Sequence, residues 1–181
     1  MTELDHTRDE VGFESLSGPL SVTRDGDLFT MDFPAWRLKR CDQAPKALLD
    51  GLGKKPIETW LVDTDDNYYA VYETEGDVRE ITPDFELLKQ LHPAGVVVTA
   101  PGDNADCASR YFAPSYGISE DPATGSIHCG LTPYWAKRLG RSRIEAHQVS
   151  KRGAVLLCED RRDRVTIAGR AVKYLEGTIS V

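Results

Sequence analysis

This 181-residue chain predicts an α+β fold, rich in strands, with one helix enclosed by them. Three observations lead there. Apolar residues recur at strand-like spacing, turn-forming residues separate those runs, and the clearest helical stretch, 126–140, has strand candidates before and after it.

Residues 11–33 read as a β-meander, since Phe13, Leu16, Leu20, Val22, Leu28 and Met31 keep strand spacing while Ser17-Gly18-Pro19 and Arg24-Asp25-Gly26-Asp27 supply turns. Pro34 closes it and a linker runs to about Gln43. A short helix is expected over 44–52, ending at Gly53, and a second lobe begins there. Strands are expected over 57–62 and 68–72. The acids of the intervening Asp63-Thr64-Asp65-Asp66-Asn67 raise calcium, but the glycine and terminal glutamate of an EF-hand loop are missing.

Thr82-Pro83-Asp84 reads as a helix start, with a hydroxyl cap, proline at the first helical position and an acid in the first turn, leading into Phe85, Leu87, Leu88 and Leu91. The apolar run 96–100 predicts a buried strand and 108–112 its successor. After the 126–140 helix come three more strand candidates: 154–158, 164–168, and 171–175 continuing past Gly177 to Val181.

Acidic residues outnumber basic ones 29 to 22, a net charge of −7, which disfavours binding to a phosphate backbone over any broad surface. No nucleic-acid partner is expected. The basic clusters at Lys137-Arg138 with Arg141 and Arg143, and at Arg161-Arg162, read as solvated faces. Cys41, Cys107, Cys129 and Cys158 are widely spaced, with neither a C-x-x-C pair nor zinc-site spacing, so reduced thiols and no metal are expected. The polar, acidic first ten residues do not read as a leader peptide, and no apolar run reaches membrane-spanning length. A cytoplasmic protein with no membrane partner is the expectation.

Chemistry concentrates in Glu120-Asp121-Pro122-Ala123-Thr124-Gly125-Ser126-Ile127-His128-Cys129. Pro122 fixes a turn, Gly125 lets backbone approach a ligand, and Ser126 is suited to cap the helix that follows. The first amides of that helix, around Ser126, Ile127 and His128, lack intrahelical partners and have the positive end of the helix dipole behind them. Such a terminus holds a carboxylate without a metal, and the same donors stabilise an enediolate formed there. Asp121 is the acid/base or substrate-orienting candidate. Glu120, its neighbour in an extended segment, points to the other side.

On local chemistry alone, a turn followed by a capped helix explains the same string equally well. His128 and Cys129 are neighbours about 100° apart on a helix, and both read as core residues. Leu131, Tyr134, Trp135 and Leu139 share helical spacing, and Pro133 should kink that helix or disturb a backbone bond.

The run Ser109-Arg110-Tyr111-Phe112-Ala113-Pro114, then Gly117-Ile118, Glu120 to Cys129 and Pro133-Tyr134-Trp135-Ala136, resembles the signature of PhzF-like (phenazine biosynthesis-like) proteins. Phe13-Glu14-Ser15, Ser17-Gly18-Pro19-Leu20, Met31-Asp32-Phe33-Pro34, Val98-Thr99-Ala100, Gln148 with Ser150, Arg152-Gly153 and Asp163-Arg164-Val165 to Gly177 follow in the family's order. The resemblance implies a diaminopimelate-epimerase-like fold: two lobes, each a β-roll around a central helix, with the active site between them. Here it implies one complete lobe plus part of a second: 1–40 as the remnant of the N-terminal lobe with its linker, 41–170 as the C-terminal lobe, and 171–181 as a closing strand that can return to the first lobe.

By the same resemblance, Asp121 is the family's motif aspartate, and Gly125, Ser126 and the amide of Ile127 form its anion cradle. The implied activity is a cofactor-independent proton shift on a small carboxylated metabolite. Separately from the resemblance, a half-fold leaves apolar strand edges unpaired, so a homodimer or another partner is expected. The family's proton-moving glutamate and its histidine belong to N-terminal segments that cannot be mapped onto this sequence. A non-catalytic carboxylate-binding or assembly module is therefore the competing reading. A cysteine-based racemase using Cys129 follows from fold analogy and needs a second, opposed base.

Overall fold

The computed structural model describes residues 9–16, 18–63, 67–175 and 177–178. The expected meander is present as β1 (Glu10–Ser15), β2 (Gly18–Asp25) and β3 (Leu28–Pro34), antiparallel in sequence order. The β2–β3 turn is built on Gly26, whose φ of 60° lies in the left-handed region that glycine enters without steric cost. The linker carries an unexpected short strand, β4 (Leu38–Arg40), followed by α1 (Lys46–Leu52). Gly53 ends α1 in the left-handed conformation, its amide bonding back to Leu49 and Asp50.

Strands β5 (Glu58–Val62) and β6 (Tyr68–Val71) form the next hairpin. Two short helices follow, α2 (Glu75–Glu80) and α3 (Phe85–Lys89). Asp84, rather than Thr82, caps α3: its carboxylate accepts from the amides of Glu86 and Leu87, leaving Pro83 outside the helix. Strands β7 (Val96–Pro101), β8 (Cys107–Ala113) and β9 (Ile118–Asp121) lead to the long helix α4 (His128–Leu139). After it come β10 (Arg143–Gln148), β11 (Ala154–Asp160) and β12 (Arg164–Arg170).

The strands form one sheet in the order β1-β2-β3-β12-β11-β10-β8-β7-β6-β5-β4, with β9 added beside β8. It packs apolar residues on both faces. One cluster joins Val97, Tyr111, Ile144, Leu156 and Ile167 to Ile127, Leu131 and Trp135 of the α4 segment. The other joins Val96, Val98, Ala100 and Phe112 to Leu48 and Leu52 of α1, Val78 of α2 and Leu88 of α3. Alternate residues of β7 thus serve opposite cores, which is why 96–100 reads as a continuous apolar run rather than an alternating one. Thr99 is the polar member of that run, and it is satisfied by donating to Ala108 O and accepting from Trp135 Nε1.

The strand that returns to the meander is β12, which pairs antiparallel with β3 from Arg164↔Pro34 to Arg170↔Leu28. The strand expected at 171–175 is not formed. Val172, Tyr174 and Leu175 are 92%, 99% and 81% exposed, and no ladder partner follows Arg170 among the described residues. The proposed continuation beyond Gly177 lies largely outside the described residues.

Pro133 sits inside α4 and leaves the helix continuous. Having no N–H, it cannot bond to Cys129 O, and the amide of Trp36 in the linker takes that acceptor at 2.9 Å. The disturbed backbone bond expected from sequence is therefore the attachment point of the linker on the central helix.

Candidate active site

The 121–127 segment is a tight turn between the end of β9 and the start of α4, and four buried or half-buried side chains hold it. Gln148, 1% exposed at the end of β10, acts on both strands of the turn. Its Nε2 donates to Asp121 O at 2.7 Å and to Thr124 Oγ1 at 3.2 Å, while its Oε1 accepts from the Thr124 amide at 2.7 Å. Ser150 Oγ donates to Pro122 O at 2.8 Å. Tyr69 OH donates to Ile127 O at 3.0 Å. His128 Nδ1 lies 2.8 Å from Thr124 O.

A carbonyl only accepts, so His128 must carry its proton on Nδ1. The ring is fully buried, and burial pushes its pKa down to about 4 despite the backbone hydrogen bonds at Thr124 and Gly125. It is a neutral structural pin. The sequence expectation of a core histidine is met, with the added detail that it fastens the turn.

Asp121 is half-buried. Its Oδ2 accepts from Thr124 Oγ1 at 2.7 Å, whereas Oδ1 has only a long contact of 3.5 Å from the Ala123 amide. One carboxylate oxygen is thus fixed and the other is left available to a ligand. Glu120 is committed elsewhere: it receives Arg110 in a bidentate pair at 2.8 and 3.0 Å. Arg110 in turn donates to Val78 O, Arg79 O and Ile81 O at the end of α2. The two adjacent carboxylates do face different surroundings.

The anion cradle differs in detail from the sequence expectation. Ser126 is exposed and does not cap α4; the cap position is Ile127, with no side-chain cap bond. The His128 amide is spent on Gly125 O at 3.0 Å and the Cys129 amide on Ser126 O at 2.9 Å. Among the described residues, the amides of Gly125, Ser126 and Ile127 have no acceptor. Three consecutive donors at the positive end of a twelve-residue helix therefore follow directly on Thr124, the residue that holds Asp121. Ile127 offers only its amide, since its side chain is in the core.

A side chain at position 125 would meet only the Met31 methyl of β3, at 3.6 Å from its Cβ. Gly125 is thus not demanded by strain; it keeps the ground above the amides clear and brings the meander to the edge of the site. Cys129 is buried and its thiol is pushed up to about 12 by burial, then by the nearby Cys158, which is the wrong direction for a nucleophile or base. Among the described residues, no group of three or more His, Cys, Asp and Glu side chains is placed to hold a metal ion. No helix among them is long and apolar enough to cross a membrane.

An α+β roll wrapped around a central helix is the diaminopimelate-epimerase-like fold, and comparison with known proteins narrows this to one family. The model of phenazine biosynthesis-like (PhzC-PhzF) proteins matches residues 1–177, so the chain belongs to that family. It is 44% identical over 177 residues to an uncharacterised isomerase of Pseudomonas aeruginosa, covering 98% of this chain and 67% of the relative. An uncharacterised isomerase of Halalkalibacterium halodurans is 36% identical over 181 residues, with 98% and 68% covered. The crystal structure of a PhzF-family phenazine biosynthesis protein from Enterococcus faecalis superposes with a TM-score of 0.85 at 40% identity, over 93% of this chain and 64% of that one. The chain therefore spans about two thirds of the length of these relatives.

Sequence reasoning placed Asp121, Gly125, Ser126 and Ile127 in one segment, and the structure brings them together in one turn. It missed the roles of Gln148, Thr124 and Ser150. The one trace of Gln148 in the sequence is an amide that continues the Ile144, Ala146 alternation, too faint among charged neighbours to mark the strand.

Proposed function

We propose that the 121–127 turn is the carboxylate-holding side of an isomerase site, and that the activity it serves is a cofactor-independent proton shift on a small carboxylate bearing an amino or hydroxy group. The observation that carries this reading is the row of uncommitted amides at Gly125, Ser126 and Ile127, set after a Thr124 that fixes one oxygen of Asp121. The substrate carboxylate sits on the amides, joined by the Ser126 hydroxyl. Asp121 Oδ1 accepts from the amino or hydroxy substituent and orients the carbon that gains or loses the proton. Charge that develops on the carboxylate as an enediolate forms is met by the same amides, fixed before reaction.

A second reading, a binding or assembly module without catalysis, is favoured by one observation. Glu120 is locked by Arg110, so Asp121 is the sole carboxylate of the turn free to act, and a proton shift needs a group to remove the proton and a place to return it. On our reading that second group comes from outside these 181 residues. The exposed apolar side chains of the meander, with Phe13 at 53%, lead us to propose pairing with a second copy as well.

Calorimetry with lactate and with alanine tests the cradle. Asp121→Asn and Ser126→Ala should each weaken binding about three- to tenfold, near 1 kcal/mol. Unchanged affinity in both variants would remove the assignment. Deuterium wash-in at the α-carbon separates the readings: exchange by the chain alone supports the isomerase, and binding without exchange supports the module.

A further inference from the structure

A cavity of about 770 Å³ lies away from the 121–127 turn, between residues 35–38, β5, the 162–163 turn and the face of α4 that carries Gly130, Pro133 and Tyr134. Its size falls within the range of small-molecule sites. Trp36, Trp60 and Tyr134 give it aromatic walls, with the Trp60 and Tyr134 rings edge to face at 5.8 Å.

The charges around it are unbalanced. Glu58 is satisfied three times over, by Trp60 Nε1 at 2.9 Å, Tyr134 OH at 2.9 Å and Arg138 Nη1 at 3.1 Å. Arg138 and Glu58 cancel. That leaves Arg37, Lys137 and Arg162, none of which has a side-chain hydrogen bond or ion pair among the described residues, against the carboxylate of Asp163. Three unpaired cations around one cavity run against the net charge of −7 of the whole chain. Arg162 is also the one non-glycine residue with a positive φ, 74°, among the described residues. An arginine held in that sparsely populated region costs about 1 kcal/mol or more and marks a position where the surroundings dictate the backbone.

We propose that this cavity is a second small-molecule site, separate from the carboxylate cradle, and that it takes a planar aromatic anion: a ring bearing a carboxylate or a phosphate. The ring lies against Trp36, Trp60 and Tyr134, and the anionic group meets Arg37, Lys137 and Arg162. The basic residues Lys137 and Arg162, which in sequence resemble an ordinary solvated face, are on this account part of the charged half of a binding site.

The chain has three tryptophans, two of which, Trp36 and Trp60, line the cavity, so its intrinsic fluorescence reports occupancy. Titration with indole-3-carboxylate by calorimetry and with phenyl phosphate by tryptophan quenching should each give saturable binding, and the tighter of the two identifies the head group. Lactate at the same concentrations should leave the fluorescence unchanged. The exposed double variant Arg37→Gln/Lys137→Gln should weaken the aromatic anions at least about fivefold, while Asp121→Asn leaves them unaffected. Absence of saturable binding for both anions at millimolar concentration, or binding that ignores the double variant, would overturn the proposal. So would a double variant that alters only the oligomeric state, since the cavity would then be an interface between copies.

Discussion

At the scale of single residues, the 121–127 turn is held in shape largely by side chains from outside it. Gln148 alone makes three hydrogen bonds to the turn. Replacing it by leucine keeps the volume and strands the Thr124 amide and Asp121 carbonyl, so Gln148→Leu should cost about 3 kcal/mol in urea unfolding and also weaken carboxylate binding. His128 adds a pH dependence whose sign follows from its burial. Its folded pKa, about 4, lies below the unfolded value near 6.5, so between those values the unfolded chain binds more protons. The stability it protects is complete above pH 6.5 and is lost as the pH falls toward 4, a loss of about 3 kcal/mol at most. A His128→Gln variant should flatten this part of the stability profile. Asp121 and the open amides were legible in the sequence because a proline, a glycine and a following helix compress them into one turn. Gln148 and Ser150 were not, because what they do depends on β10 lying beside the turn, a contact between residues more than twenty positions apart.

At the scale of elements, α4 is tied to its surroundings through its irregularities. Pro133 frees Cys129 O for Trp36. Pro133→Ala restores an amide that competes for the same carbonyl, and amide exchange at Trp36 should speed up by about tenfold while the helix itself gains protection. Gly130 permits the close approach of Tyr69, whose hydroxyl would stand 2.7 Å from an added Cβ. Gly130→Ala should therefore displace Tyr69 from Ile127 O and cost about 1–3 kcal/mol in thermal unfolding, more than the helix propensity of alanine returns.

The elements that sequence reading passed over are informative. Helix α2 announces itself only by the capping box of Thr74 and Asp77, since six residues are too few to show a helical period. Strand β10 pairs parallel with β8 and antiparallel with β11, yet its Ile144 and Ala146 give too faint an alternation among charged neighbours. The start of α3 was misjudged because Thr82 and Asp84 are both acceptable caps, and only the backbone bonds separate them.

At the scale of the molecule, the sheet runs without a break from the meander into the roll through β12 and β3, and Arg164 of β12 is ion-paired with Asp32 of β3. That seam explains why one strand candidate was right and the next wrong. Residues 164–168 find β3 as a partner, while 171–175, with similar β-forming residues, run past the end of that ladder. The fold class followed from the period-two patterns and the enclosed helix; the sheet order did not, because it is set by pairings distant in sequence.

The meander leaves β1 as an outer strand with exposed Phe13, and β4 is the opposite edge. Light scattering on the 181-residue chain should give a dimer mass, and Phe13→Glu should shift it toward monomer if the pairing uses this face. The central claim concerns the turn itself, and amide NMR reads it most directly. On titration with lactate, the amide resonances of Gly125, Ser126 and Ile127 should move together with saturation, and Asp121→Asn should reduce the affinity that those shifts report. Shifts confined to other parts of the chain, with these three amides unmoved at saturation, would contradict the account.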